Sequence, residues 1–204
     1  RRSSDLAEIW RAISLTARYE YVFHPAFEAA QTQDPQALPM LLACLKDAEG
    51  KMHVGEHSLE LGWPLTQTFL WGAYGAEGIP TLAGILASST ESNELQSAML
   101  ILADAMYLPA LPEIRKYALD QRSVVRGAAL VCLGKYGHPQ DYELLANGLA
   151  RIPEDILFRL HALGIYGDLR AVPAMAELLR HREEALSSVR MAAISGLQIL
   201  LTPA

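Results

Sequence analysis

The sequence predicts an all-α fold, a right-handed solenoid of about five stacked antiparallel helix pairs behind an N-terminal helical cap. Three observations lead there. Two stretches, 102–118 (LADAMYLPALPEIRKYA) and 163–179 (LGIYGDLRAVPAMAELL), match in character without a gap. A recurring anchor of small or apolar residues followed by Pro opens apolar segments at a near-constant spacing. No alternating apolar–polar run is long enough to compete with helical periodicity, so no sheet is expected.

The anchors are Ala37-Leu38-Pro39, Gly78-Ile79-Pro80, Ala110-Leu111-Pro112, Asp141-Tyr142-Glu143 and Ala171-Val172-Pro173. Their third positions are 41, 32, 31 and 30 residues apart. Proline suits a first helical turn, where its missing N–H has no partner to lose. First helices follow near 36–47, 78–88, 110–120, 139–151 and 171–182. Second helices are expected near 63–74, 92–106, 122–136, 154–166 and 187–200. Gly137 and Gly167, each after a Tyr, read as helix stops because glycine accepts the left-handed conformation of a C-cap. Ser92, Asn93, Ser123, Ser187 and Ser188 stand where N-caps are expected. The opening stretch 4–31 reads as helical and broken at His24-Pro25. The organisation is one domain, with 1–33 as cap and 34–204 as repeats. One helix pair cannot bury its apolar face alone, whereas stacked pairs share a continuous core, which is why the sequence repeats.

Composition narrows the function classes. The 204 residues are 51% hydrophobic with a net charge of −6, enough for a packed core and poorly suited to a sequence-independent grip on nucleic acid. No apolar run approaches the ~20 residues that span a bilayer. Cys44 and Cys132 fall in different repeats and read as buried thiols without a disulfide, which suits a reducing, cytoplasmic setting. The chain opens on RRSS, without Met or an apolar leader, which predicts a trimmed N-terminus.

The pairs Val125-Arg126 and Val189-Arg190, followed by Ala128-Ala129 and Ala192-Ala193 and then by Leu133-Gly134 and Leu197, resemble HEAT repeats, and more closely the short phycobilisome-lyase type. Asp120 and Glu184, six residues before each Arg, sit at that family's turn-acid position. The resemblance covers roughly 34–200. It implies a second helix facing a concave surface, and functions ranging from protein scaffolding to chromophore handling, with nucleic-acid binding in some members. The His-Glu pairs of iron-binding relatives are missing, since no His here is followed by Glu.

Candidate chemistry is sparse. His53-Val54-Gly55-Glu56-His57 matches an inverted zinc-peptidase pattern, in which a helix sets both His on one face and Glu56 activates a metal-bound water. Gly55 weakens that helix, and 46–62 reads better as a mobile polar loop insertion. Arg115, Lys116, Arg122 and Arg126 form a basic cluster with Glu113 and Asp120 beside it, a solvated face rather than a phosphate site. Tyr74, Tyr136 and Tyr166 recur at helix ends, as a ligand edge or as rings packed between repeats. No catalytic set and no cofactor is expected. The favoured reading is a non-catalytic scaffold for a protein or peptide, with no nucleic-acid or membrane partner. Counting five and six residues past Val125, and transferring those positions by alignment to the other repeats, gives the expected concave surface: Phe69, Met99, Leu100, Leu130, Val131, Leu160, His161 and Ile194. A one-position shift would place the same residues in the core.

Overall fold

Gly137 and Gly167 take positive φ, 60° and 82°, and each N–H closes a helix on the carbonyl four residues back, Leu133 and Leu163 respectively. These two stops, expected from sequence, punctuate a chain of helices in a computed structural model that describes residues 51–54, 57–60, 78–147, 155–180 and 187–202, with the isolated positions 42 and 149. The helices expected at 4–31 and 63–74 lie outside the described residues, as do the one at 36–47, apart from position 42, and Phe69, Tyr74 and Cys44. The chain divides into two compact units, Arg1–Tyr107 and Leu108–Ala204.

In the first unit, α1 (Gly78–Ser88) packs against α2 (Ser92–Asp104). Leu82 and Leu86 face this contact from α1, and Leu95, Met99 and Leu102 are fully buried on α2. The link is not capped as expected. Glu91, with extended backbone, holds the N-cap position without a side-chain cap, and Ser92 is already helical. Ser89 organises the turn instead: its hydroxyl accepts from the Glu91 N–H at 3.1 Å and donates to Glu94 at 2.5 Å. Met106 ends α2 at φ 51°, in the place where later repeats have Gly137 and Gly167. The Tyr107 N–H then reaches the Leu102 carbonyl at 2.9 Å, completing a Schellman-type end.

The same unit holds the one departure from helix among the described residues. Strands β1 (Lys51–Val54) and β2 (His57–Glu60) pair antiparallel, with Lys51 opposite Glu60 and Val54 opposite His57. The other described residues form helices and their connections, as the all-α expectation requires, and this two-stranded hairpin is the exception. Four-residue strands are too short for alternation to register as a pattern, but two such runs separated by two residues suit a hairpin.

The second unit contains three helical hairpins: α3 (Leu111–Tyr117) with α4 (Ser123–Tyr136), α5 (Tyr142–Ala146) with α6 (Ile156–Tyr166), and α7 (Val172–Arg180) with α8 (Ser187–Leu201). Each first helix packs on its own second helix, and α4, α6 and α8 pack side by side in chain order. Arg122, not Ser123, holds the N-cap position of α4. A 3-10 turn leads into each first helix, Leu108–Ala110, Pro139–Asp141 and Leu169–Ala171, and its last residue is buried every time. At the middle hairpin that residue is Asp141. Its carboxylate is gripped by both Nε and an Nη of Arg115 on α3, at 2.8 and 3.0 Å. A charge at a core position is tolerated because a bidentate partner from the preceding hairpin satisfies it.

Close approach of the second helices depends on missing side chains. A Cβ built on Gly134 of α4 would lie 2.8 Å from the Cα of Ala162 on α6, and one on Gly164 of α6 would lie 2.9 Å from the Cα of Gly196 on α8. Cys132, Leu133, Leu160, Ala162, Leu163 and Ala193 are buried on these helices.

Candidate partner-binding surface

Helix α6 shows how a second helix divides its circumference. Asp155 at its start faces α4, where Arg126 closes on it with Nε and Nη2 at 2.6 and 2.9 Å. Phe158 lies over Gly127 of α4, and Ala162 meets Gly134. On the opposite side, the Leu160 carbonyl and Gly164 touch Gly196 of α8. Two sides of the helix are therefore consumed by neighbours, and a first helix covers part of the rest. The narrow strip left to solvent passes through His161, which is exposed.

This geometry corrects the surface read from sequence. Met99, Leu130 and Leu160, expected to face solvent, have 0% exposure and belong to the core. The reason is angular: a residue one position later in a helix is rotated by about 100°. Five past the valine points into a packed neighbour, and six past it points toward solvent. Leu100 and Val131 are half-buried and His161 is exposed, as the outer strip requires. Ile194, at the position equivalent to Leu130 and Leu160, is 39% exposed. Phe69 lies outside the described residues.

Charge on these helices is used internally. Arg126 also donates through Nη1 to the carbonyls of Asp120 and Gln121 at 2.7 and 3.1 Å. Arg159 extends the network, 3.9 Å from Asp155 and hydrogen-bonded to the carbonyls of Leu144 and Leu145. Burial lowers the Arg159 pKa, Asp155 opposes that shift, and the Arg159 Nε is buried with no partner among the described residues. The basic cluster resolves into ion pairs: Arg115 with Asp141, Lys116 with Glu113, Arg122 with Asp120, and Arg126 with Asp155. The turn role expected for Asp120 holds, since its carboxylate accepts the backbone N–H and the guanidinium of Arg122, which lowers its pKa. Asp155, by contrast, was not visible as a pairing residue in the sequence.

The tyrosines pack. Tyr136 is buried. Tyr166 tilts against Tyr142 at 5.7 Å between centroids and donates its hydroxyl to the His138 carbonyl at 3.3 Å. Arg170 lies 4.0 Å over the other ring of that pair, Tyr142. The His161 imidazole is held below its ordinary pKa, first by partial burial and then by the Lys135 charge.

The His53/His57 pattern does not lie on a helix. The two residues sit on opposite strands in adjacent cross-strand pairs, His53 with Ser58 and Val54 with His57, so the one-face helical spacing is not formed; Glu56 lies outside the described residues. Among the described residues no cluster of three or more His, Cys, Asp or Glu is arranged to hold a metal. None of the described helices is long and apolar enough to cross a membrane.

The hairpin of α7 and α8 carries a groove of about 430 Å³ lined by Leu179, Ser187, Arg190, Met191 and Ile194. Residues 187, 190, 191 and 194 form one helical stripe on α8. Compared with protein-family models, curated proteins and solved structures, the chain gives no match.

Proposed function

We propose that the chain is a non-catalytic scaffold, a HEAT-like α-solenoid that binds a protein or peptide along its second helices. The observation that carries this reading is the apolar character of what those helices leave uncovered. Val124 on α4, Leu157 and Phe158 on α6, and Met191 and Ile199 on α8 are all exposed, beside the half-buried Val131 and the exposed His161. Apolar side chains recurring on successive layers form the type of surface that marks a partner site. The side-by-side packing of α4, α6 and α8 supports the repeat architecture, since each layer contacts its neighbours through equivalent positions.

The experiment is affinity capture from source cells with the wild-type chain and the double variant Val131→Asp/His161→Asp. The scaffold reading expects at least one protein retained by the wild type and lost from the variant, with both melting at similar temperatures. Identical retention profiles for two folded proteins would contradict it.

A further inference from the structure

Charge is divided unevenly between the two kinds of helix in Leu108–Ala204. The whole chain carries 23 Asp and Glu and a net charge of −6. The first helices α3, α5 and α7 each hold an acid, Glu113, Glu143 and Glu177. The second helices α4, α6 and α8, of 14, 11 and 15 residues, hold none. Their basic side chains are Arg126, Lys135, Arg159, His161 and Arg190. Arg126 and Arg159 are engaged inside the fold, on Asp155 and on backbone carbonyls. Lys135 and His161 instead border the strip that α4 and α6 leave to solvent. On α4 this strip passes through Val124, Val131 and Lys135, and on α6 through Phe158, His161 and Ile165, each set at the spacing of one helix face. Val124, Phe158 and His161 are exposed, and Val131, Lys135 and Ile165 are half-buried. The Phe158 ring lies over Gly127 and closes the seam between the two helices. The strip is not an end of the stack, since α6 packs against α4 on one side and α8 on the other.

We propose that this strip binds an acidic amphipathic segment of another protein, with apolar side chains seated on Val131, Phe158 and Ile165 and a carboxylate set against His161. The inference deepens the scaffold reading and rests on it. Apolar area supplies contact without choosing a partner, and the choice comes from the sign of the charge. A basic segment meets like charge at Lys135 and His161, whereas an acidic one meets complementary charge on helices that carry no acid of their own. Several charged groups stand on the elements packed against α6: Arg126 and Lys135 on α4, Glu143 on α5 and Arg190 on α8. Of these, Lys135 is the one whose charge acts on the His161 imidazole, and it disfavours the imidazolium. A partner carboxylate opposes that field and favours the imidazolium, so the complex takes up a proton and tightens in mild acid. Pairing α4 and α6 with the same helices of a second copy does not meet these terms, because those helices bring no carboxylate to His161.

The test selects a random phage-displayed peptide library on the immobilised full chain. Enriched peptides are expected to be net acidic, with apolar residues between their carboxylates. A fluorescent synthetic peptide of the enriched sequence, titrated by anisotropy, should bind saturably. Its affinity should fall by at least about tenfold with Val131→Asp and with His161→Glu in the protein. For the wild type it should rise by at least about threefold from pH 7.5 to pH 6, where Asp and Glu stay ionised. His161→Gln, which keeps a polar side chain of similar size and removes the titration, should abolish that rise, and it carries the test if Val131→Asp disturbs the fold. No enrichment, enrichment of neutral or basic peptides, a flat pH profile in the wild type, or binding indifferent to His161→Glu overturns the proposal. Self-association of the chain abolished by Val131→Asp would assign the strip to a second copy and overturn it equally. A protein retained in the capture experiment through a neutral or basic surface would sink this inference and leave the scaffold reading standing, so the two fall separately.

Discussion

Arg126 and Asp155, 29 residues apart, form a bidentate ion pair that joins α4 to the start of α6, with Nε–Oδ2 at 2.6 Å and Nη2–Oδ1 at 2.9 Å. Asp155 is fully buried and holds the position that valine holds at 125 and 189. A buried carboxylate between Arg126 and Arg159 is stable only while all three side chains are present.

Asp155→Ala should therefore be costly. It removes the carboxylate shared by two arginines, one fully and one largely buried, and a loss of about 3–5 kcal/mol is expected. Urea denaturation monitored by circular dichroism measures it. A loss below about 1 kcal/mol would mean that the pair is not buried as described.

Glycine substitutions should divide by site, although alanine is the better helix former everywhere. At Gly134 and Gly164 a new Cβ meets backbone of the next helix, and backbone cannot rotate away. Gly134→Ala and Gly164→Ala should each destabilise by about 1–3 kcal/mol. Gly84 lies inside α1 with nothing within 4 Å of its would-be Cβ, so Gly84→Ala should stabilise by about 0.5–1 kcal/mol. Denaturant midpoints of the three variants decide the matter, and gains at Gly134 or Gly164 would argue against close contact.

His161 should make stability depend on mild acid. Its folded pKa lies below the ordinary value of about 6.5, so the unfolded chain binds the proton more readily. The contribution is present above about pH 6.5 and is lost as pH falls through the lower folded value. Comparison of wild type with His161→Gln between pH 7.5 and 5 should show the larger fall in the wild type. Parallel curves would contradict the assignment.

Much of the architecture was legible because its signals are local. The helix starting at Gly78 and the stops at Gly137 and Gly167 depend on one or two residues and on the backbone conformations those residues allow. The parts that were not legible depend on distant partners or on small rotations. Asp155 reads as an ordinary first-turn acid until Arg126 is placed against it. The 3-10 entry turns and the shifted caps at Glu91 and Arg122 are displacements of one or two residues, within the usual play of helix ends. The hairpin at 51–60 is too short to announce itself, and it removed the helix that the His53/His57 pattern requires. The binding surface failed by one position: Leu130 and Val131 are neighbours in sequence but about 100° apart around α4.

That one-position distinction is the centre of the account, and thermal unfolding of two adjacent variants tests it most directly. Leu130→Asp places a charge in the packed layer between α4 and α6 and should lower the melting temperature by more than about 10 °C or abolish folding. Val131→Asp places the same charge on the outer strip and should shift it by less than about 3 °C. The reverse order, with Leu130→Asp tolerated and Val131→Asp unfolding the chain, would contradict the account.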